Sequence, residues 1–257
     1  MKYLQNIVKL KIFTYNDFVG IVWNKNLAKV TLKNYINKGY VVRIKHNLYS
    51  PISFETNEML ADKFLIGSSL SETAFISHHS AFEFYGYYNQ IYDVVNVSSK
   101  TLIRNFSFEQ NEYIVIKTNF NQYVEKVRGI KVSSIERTII DCIKDCNKYT
   151  DLEETLNCIQ LIPYIDIDAI LNYLEIINSK MLYKKVGYIL SLFKEQFNIP
   201  DSFFIKCHDV SDSVKGYFDS NKKALVYDSK WKAFVYKDLS NYINKEWKKC
   251  LILRNMK

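Results

Sequence analysis

Hydrophobic side chains at the start of the chain recur every three to four positions, the spacing of an α-helix. A first helix is indicated by Leu4, Ile7, Val8 and Ile12. Thr14 is placed to cap a second helix, whose apolar face is formed by Phe18, Val19 and Val22. After a polar turn at 24–26, a third helix is predicted over 27–38, with an apolar stripe of Ala28, Leu32, Tyr35 and Ile36. Gly39 stands where a left-handed C-terminal stop belongs.

The pattern then changes from helical spacing to short apolar runs. A strand over 40–44, a polar turn at 45–47 and a second strand over 48–52 are predicted. Three helices followed by a hairpin, in this order, predict a winged helix-turn-helix whose wing is the turn at 45–47.

The rest of the chain mixes both periodicities. Helices are predicted at 58–69, 77–85, 151–161, 166–178 and 180–197, and strands at 92–98, 112–118, 129–133, 223–228 and 231–236. Ser77 is expected to cap the second of these helices, Gly86 to end it, and Asp166 to cap the fourth. The run from Ser133 to Glu136 predicts a capping box before a helix through Cys142. The fold class is therefore α+β: a winged helix-turn-helix at 1–57 and a larger mixed α/β domain at 58–257, with a sub-boundary near 148–165.

Charge is unevenly distributed along this pattern. Residues 1–57 contain eight Lys and one Arg against Asp17 and Glu55, a net charge of +7, and residues 244–257 have a net charge of +4. The whole chain has a net charge of +8, so residues 58–243 carry about −3. Lysine outnumbers arginine 30 to 5, a bias that an AT-rich genome also produces. The position of the charge is therefore more informative than its total, and it indicates a polyanion partner for the N-terminal segment.

Composition excludes several classes of protein. Hydrophobic residues make up 48% of the chain and aromatic residues 15%, which argues against disorder. No apolar run approaches the ~20 residues of a membrane helix, and no signal-peptide core is seen, so a cytoplasmic protein without a membrane partner is expected. The cysteines are expected to be reduced and mostly buried: Cys142, Cys146, Cys158, Cys207 and Cys250.

The third helix and the wing carry the candidate DNA-binding residues. Lys29 and Lys33 lie one turn apart and can face one wall of a major groove, while Thr31 and Asn34 are suited to base edges. The full predicted set is Lys25, Lys29, Thr31, Lys33, Asn34, Asn37, Arg43, Lys45, His46 and Asn47. The alternatives are a solvated helix face or a winged helix used for protein contacts. The basic tail at 244–257 is a further candidate contact or a frayed terminus.

Motifs for catalysis or metal binding are weak. The adjacent His78 and His79 cannot share one helix face, and Ser77 is not on a Gly-rich turn, so helix-start polar groups are the simpler interpretation. Cys142 and Cys146 are four apart on a predicted helix and do not form a zinc knuckle. The carboxylates Glu136, Asp141 and Asp145 leave open a nuclease targeted by the winged helix. The sequence predicts no enzyme, cofactor or metal.

Four segments resemble the AbiEi family, the antitoxins and transcriptional regulators of AbiE-type (type IV) toxin–antitoxin systems. They are Gly39–Tyr49 (GYVVRIKHNLY), Phe75–Gly86 (FISHHSAFEFYG), Ile130–Asp141 (IKVSSIERTIID) and Lys185–Leu190 (KVGYIL). The wing has His46-Asn47 where the family frequently has an Arg-Gly turn. These are soft patterns, and none of them is a catalytic signature.

The resemblance implies a DNA-binding antitoxin and autorepressor of an abortive-infection (phage defence) operon. Its N-terminal domain would bind double-stranded DNA at inverted repeats in its own promoter. Its larger domain would neutralise a nucleotidyltransferase-like toxin of the AbiEii type, functionally and without a stable complex. A solitary winged-helix regulator without a toxin is the alternative, and no neutralising residue is assigned.

Overall fold

The computed structural model describes residues 2–218, 225–237 and 239, and these residues form two compact units. The first unit comprises residues 1–76, 93–121 and 126–132, and the second comprises 77–92, 122–125 and 133–257. The boundary predicted at residue 57 falls inside the first unit, and the sub-boundary near 148–165 falls inside the second. The chain alternates between the units because sheet strands pair with segments distant in sequence.

The first unit begins with three helices and a hairpin. The helices are α1 (Leu4–Leu10), α2 (Tyr15–Val22) and α3 (Lys25–Asn37), and the hairpin strands are β1 (Val41–Lys45) and β2 (Leu48–Pro51). Side chains from α1, α2, α3 and β1 form one buried cluster around Phe18 and Ala28, both 0% exposed. Phe13, just before α2, pairs with Tyr49 of β2 through two backbone hydrogen bonds of 2.9 Å. This pairing fixes the hairpin against the helices.

Local capping explains where these helices begin. Thr14 accepts a hydrogen bond from the Asp17 N–H, and the Asp17 carboxylate accepts one from the Thr14 N–H, so the predicted cap is confirmed. The third helix starts earlier than predicted because the Asn24 side chain accepts the Leu27 N–H at 2.9 Å. Gly39 has φ +71°, as its predicted role as a left-handed stop requires.

The remainder of the first unit is built around a mixed sheet. Helix α4 (Lys63–Ser68) precedes β3 (Phe75–Ile76), β4 (Val94–Ser99), β5 (Phe106–Phe108), β6 (Asn111–Lys117), β7 (Val124–Val127) and β8 (Ile130–Ser133). The strand order is β5-β6-β4-β3-β8-β7, with β4 parallel to β6 and antiparallel to β3. Gly67 of α4 lies so close to Ile76 and Val97 that a Cβ there would meet them at 2.7 and 2.9 Å.

The second unit is mainly helical. Its helices are α5 (His78–Tyr85), α6 (Ile135–Lys144), α7 (Leu152–Leu161), α8 (Ile167–Ile177), α9 (Lys180–Ser191) and α10 (Asp201–Ser211). A small sheet has the order β10-β11-β9, from β9 (Gly216–Tyr217), β10 (Leu225–Asp228) and β11 (Ala233–Tyr236). One large apolar core joins the helices, with Ile139, Leu156, Ile170 and Val186 all 0% exposed. Trp231 packs directly on Gly187, where a Cβ would meet the indole at 2.5 Å.

Several predicted elements are wrong in extent. The helix predicted at 58–69 begins only at Lys63, because Met59 pairs with Ile52 and Asp62 caps the helix by accepting the Leu65 N–H at 2.7 Å. The helix predicted at 180–197 ends at Ser191 and continues as turns. Helix α10 and the short strands β3, β5, β7 and β9 were not predicted.

The capping box predicted from Ser133 to Glu136 is also wrong. Ser134 is the N-cap and accepts the Arg137 N–H at 3.3 Å, whereas the Ser133 hydroxyl contacts Thr138 at 2.7 Å. The Glu136 carboxylate instead accepts the Asp166 N–H at 3.1 Å, at the start of α8. Asp166 caps that helix as predicted, by accepting the N–H groups of residues 168 and 169.

Two predictions concern residues outside the described part of the chain, namely the basic tail at 244–257 and Cys250. Of the other cysteines, Cys142, Cys158 and Cys207 are buried and Cys146 is partly buried. Among the described residues, none of the helices is both long and apolar enough to cross a bilayer.

Candidate nucleic-acid interface

Helix α3 presents a basic outer face. Ala28, Leu32 and Tyr35 turn inward, so residues offset from them by about half a turn face solvent. Lys25, Lys29 and Lys33 are exposed on this helix, which has no acidic residue. None of the three is in an ion pair with any described residue. Their spacing of four residues places successive lysines roughly 6 Å apart along the helix.

Polar side chains accompany this row of lysines. Asn34 and Asn37 are exposed, while Thr31 is partly buried. Val30, not among the predicted contacts, is 58% exposed and lies on the same outward side of the helix as Asn34 and Asn37. An exposed valine at the middle of a helix is an apolar contact available to a partner. Its apolar character made it look like a core residue in the sequence.

The hairpin turn contributes fewer free groups than predicted. Arg43, His46 and Asn47 are exposed, and the Arg43 Nε donates to the Lys45 carbonyl at 3.4 Å. Asn47 has φ +61° and its side-chain oxygen accepts the Tyr15 N–H at 3.0 Å. This hydrogen bond anchors the turn to the start of α2, so the side chain of Asn47 has a structural role.

Lys45 is turned towards the sheet of the same unit. Its Nζ donates to the Arg104 carbonyl at 3.2 Å and lies 4.2 Å from the centre of the Phe106 ring. Burial lowers the pKa of this ammonium. The cation–π contact therefore fixes the β1–β2 hairpin turn and leaves Lys45 poorly placed to neutralise a phosphate.

A cavity of about 210 Å³ opens beside the lysine row. It is lined by Tyr15, Lys29, Leu32, Lys33, Ile36, Asn37 and Tyr49. The Tyr15 hydroxyl donates to the Lys25 carbonyl at 2.9 Å, which holds that ring against α3. Tyr15 and Tyr49 were not among the predicted contacts. Only the pairing of β2 with the segment before α2 brings them beside the helix.

The carboxylates considered for catalysis have separate structural partners. Asp141 is 3% exposed, accepts from the Arg137 Nε at 3.1 Å and from the Tyr173 hydroxyl at 3.2 Å. Asp145 lies 3.4 Å from His78 and 3.2 Å from Lys144. Burial opposes its ionisation, but the hydrogen bonds and charges of these two partners prevail and lower its pKa to about 2.

The two adjacent histidines point to different partners, as their positions on one helix require. Both are 2% exposed rather than solvated. The His78 ring contacts Asp145 and the Ser77 hydroxyl, the latter at 3.0 Å, and the Ser77 side chain makes no capping hydrogen bond to α5. The His79 ring contacts Glu154 at 3.1 Å. Ser77 is the N-cap residue of α5 and the two histidines begin the helix, as expected, but the Ser77 side chain does not cap it. The histidines also do more than begin a helix, because His78 links α5 to the end of α6 and His79 links it to α7.

Comparison with known proteins gives a likeness of fold. No family model matches the chain, and no curated protein matches it. Among solved structures, the chain is similar to the crystal structure of the RV2827C protein from Mycobacterium tuberculosis, with a TM-score of 0.61 and 10% sequence identity. The match covers 90% of this chain and 89% of that chain. Likeness at this identity shows a shared mixed α and β fold alone.

Proposed function

We propose that the chain is a DNA-binding repressor of its own operon and the antitoxin of a type IV toxin–antitoxin system. The observation that carries the proposal is the exposed row Lys25, Lys29 and Lys33 on α3, without an acidic neighbour on the helix. In this proposal residues 2–52 act as a winged helix-turn-helix, α3 enters the major groove, and the hairpin lies against the backbone.

Charge and shape support DNA as the partner. Three lysines in one row on a helix can neutralise phosphates along one wall of a groove, which provides affinity without sequence information. Asn34 and Asn37 are exposed on the same helix, and asparagine can make a paired contact with adenine. The wing contributes Arg43 and His46, because Lys45 is held by the sheet.

The antitoxin half of the proposal is supported by the resemblance of residues 75–86 and 130–141 to the AbiEi family. The structure gives these segments a buried polar character: His78, His79, Arg137 and Asp141 are all 1–3% exposed. Such residues hold a fold together, so the proposal assigns toxin neutralisation to no particular side chain. It assigns no catalysis, because Asp141 is neutralised by Arg137.

The DNA half is tested by titrating the protein against its own upstream DNA and a scrambled duplex at several salt concentrations. Lys29→Ala and Lys33→Ala should each weaken binding to both duplexes and reduce the slope of log K against log salt by about 0.9. Lys117→Ala is the matched control, because Lys117 is an exposed lysine of β6 in the same unit. Equal slopes for all four proteins would remove α3 from the interface, and equal affinity for scrambled DNA would exclude specific repression.

The antitoxin half has its own test. Co-expression with a nucleotidyltransferase encoded beside the gene should relieve growth arrest, and the Lys29→Ala/Lys33→Ala variant should relieve it equally. Equal relief is expected because the proposal places toxin neutralisation in the larger domain, outside α3. If no such gene is adjacent, or the chain does not relieve arrest, the protein is a solitary regulator and the DNA half stands alone.

A further inference from the structure

The second unit contains a buried cluster of three metal-ligating side chains that the proposed function does not use. His79 lies in the first turn of α5, and Glu154 and Cys158 lie one turn apart on α7. Their exposed fractions are 2%, 2% and 0%. One nitrogen, one carboxylate oxygen and one sulfur of this set lie within 4.8 Å of one another. Glu154 and Cys158 are close because residues four apart lie on the same side of a helix. The contact between α5 and α7 brings His79 beside them.

The side chains of His79 and Cys158 converge on the Glu154 carboxylate at distances close to those between ligands of one ion. His79 Nε2 lies 3.1 Å from Glu154 Oε1, and Cys158 Sγ lies 3.4 Å from the same oxygen. Nitrogen, oxygen and sulfur bound tetrahedrally at about 2.0–2.3 Å from zinc stand roughly 3.3–3.6 Å apart. Both distances lie at or slightly below this ligand spacing, so the side chains need only separate slightly to admit an ion.

Glu154 has a second oxygen to offer such an ion, besides the Oε1 to which the distances above are measured. Its Oε1 accepts the backbone N–H groups of Asn89 and Gln90, both at 3.1 Å, so the carboxylate is held from outside the cluster. Its Oε2 is buried and accepts no hydrogen bond within the described part of the chain. A buried carboxylate oxygen without a donor is costly, and a cation beside it removes that cost.

We propose that His79, Glu154 and Cys158 bind one divalent transition-metal ion, with Zn²⁺ as the best match. Imidazole, thiolate and carboxylate together suit zinc, and three ligands leave one tetrahedral position for the second Glu154 oxygen or a water. Because all three side chains are buried, no substrate reaches this position, and the role of the ion is structural. A carboxylate and a thiolate neutralise the two charges of the ion, so the buried unit has no net charge. The backbone N–H groups of residues 89 and 90 provide the outer hydrogen bonds that orient a ligating carboxylate.

Metal binding would change the ionisation of Cys158. Burial and the neighbouring Glu154 carboxylate raise the pKa of this thiol, so without a cation it is protonated and donates to Glu154. A bound ion removes that proton, because a coordinating thiol is deprotonated. Binding therefore releases a proton and weakens as the pH falls. It also joins α5 to α7, so the ion stabilises the second unit.

Cobalt is the probe that tests the site, because Co²⁺ occupies zinc sites and its bond to a thiolate absorbs in the near ultraviolet. The full chain is unfolded in urea with a chelator and a phosphine reductant, which keeps the cysteines reduced without adding a competing thiol. The chelator is then removed, and the chain is refolded with one equivalent of Co²⁺. We expect one tightly held ion per chain, a sulfur-to-cobalt absorption band, and loss of the band on addition of Zn²⁺. We also expect unfolding at higher temperature with Zn²⁺ than with chelator.

Variants assign the band to the cluster. Cys158→Ser should abolish it and His79→Gln should shift or weaken it, whereas Cys207→Ser should leave it intact, because Cys207 is an equally buried thiol beside Trp231 and Gly187. Absence of a sulfur-to-cobalt band in the refolded wild-type chain would overturn the proposal, even if the variants fail to fold. The cluster is then a hydrogen-bonded link alone. Neither result depends on DNA binding, which is measured separately.

Discussion

Replacing Arg137 by methionine removes a cation from the interior of the second unit and leaves Asp141 without its closest charged partner. Arg137 is 1% exposed, its Nε donates to Asp141 at 3.1 Å, and its Nη1 donates to the Gln122 carbonyl at 2.6 Å. The guanidinium also lies 5.2 Å from the centre of the Tyr173 ring. Loss of one member of a buried ion pair costs about 3–5 kcal/mol, because the remaining charge is poorly compensated. Of its cationic partners among the described residues, Asp141 would keep only the exposed Lys144, whose Nζ lies 3.9 Å away.

Urea unfolding followed by circular dichroism measures this cost in the full chain. Arg137→Met should lower the free energy of unfolding by about 3–5 kcal/mol. Asp141→Asn should also destabilise, and the double variant should lose about 2 kcal/mol less than the sum of the two single variants, because the residues interact directly. Lys206→Met is the control: it breaks the exposed Lys206–Glu175 pair and should cost under about 1 kcal/mol.

The reasoning is refuted if Arg137→Met costs no more than the control, or if the two single effects simply add. Either result would mean that Asp141 is not held by Arg137 and is free for other chemistry. The hypothesis of a nuclease based on these carboxylates would then return. A large coupling energy instead assigns Asp141 to the stability of the fold.

Two further predictions concern acid stability and sequence preference. Because the pKa of Asp145 is lowered to about 2 in the folded chain, its stabilisation is complete above the unfolded value of about 3.9 and is lost as the pH falls towards 2. Screening of this partly exposed group limits its contribution to the free energy of unfolding to about 1 kcal/mol. Between pH 4 and pH 2, Asp145→Asn should therefore lose about 1 kcal/mol less stability to urea than the wild-type chain does. The second prediction concerns a contact between Val30 and a thymine methyl group in the upstream DNA. Replacing thymine by uracil in that DNA should weaken binding of the wild-type protein about four-fold, because burial of one methyl group contributes ~0.8 kcal/mol. Val30→Ala should bind both duplexes equally, and a wild-type protein indifferent to uracil would exclude the contact.

Much of the first unit could be predicted because its signals are local. The apolar stripe of α3 and the capping box of Thr14 and Asp17 each involve residues within one or two turns, so spacing alone reveals them. The exposure of Lys29 and Lys33 follows from the same periodicity. Helix α10 also has local signals in the sequence, namely Pro200 before Asp201 and an apolar pattern at Phe203, Phe204 and Cys207.

Other features depended on partners far along the chain. Lys45 was predicted as a phosphate contact, and only the sheet reveals Arg104 and Phe106, about 60 residues away, as its partners. Glu136 fitted a capping box by spacing, yet the start of α8 offers it the Asp166 N–H. The local pattern permitted both interactions, and packing selected one of them.

The sequence by itself determined which residues are apolar, which helices begin at a cap, and where positive charge accumulates, because these depend on composition and on neighbours a few residues apart. Only the tertiary structure decided which polar groups are buried and with whom. His79 and Glu154 are 75 residues apart and yet in contact at 3.1 Å. Such pairing is decided by the packing of apolar helix faces against one another. The spacing of residues along the sequence does not predict which polar groups this packing brings into contact.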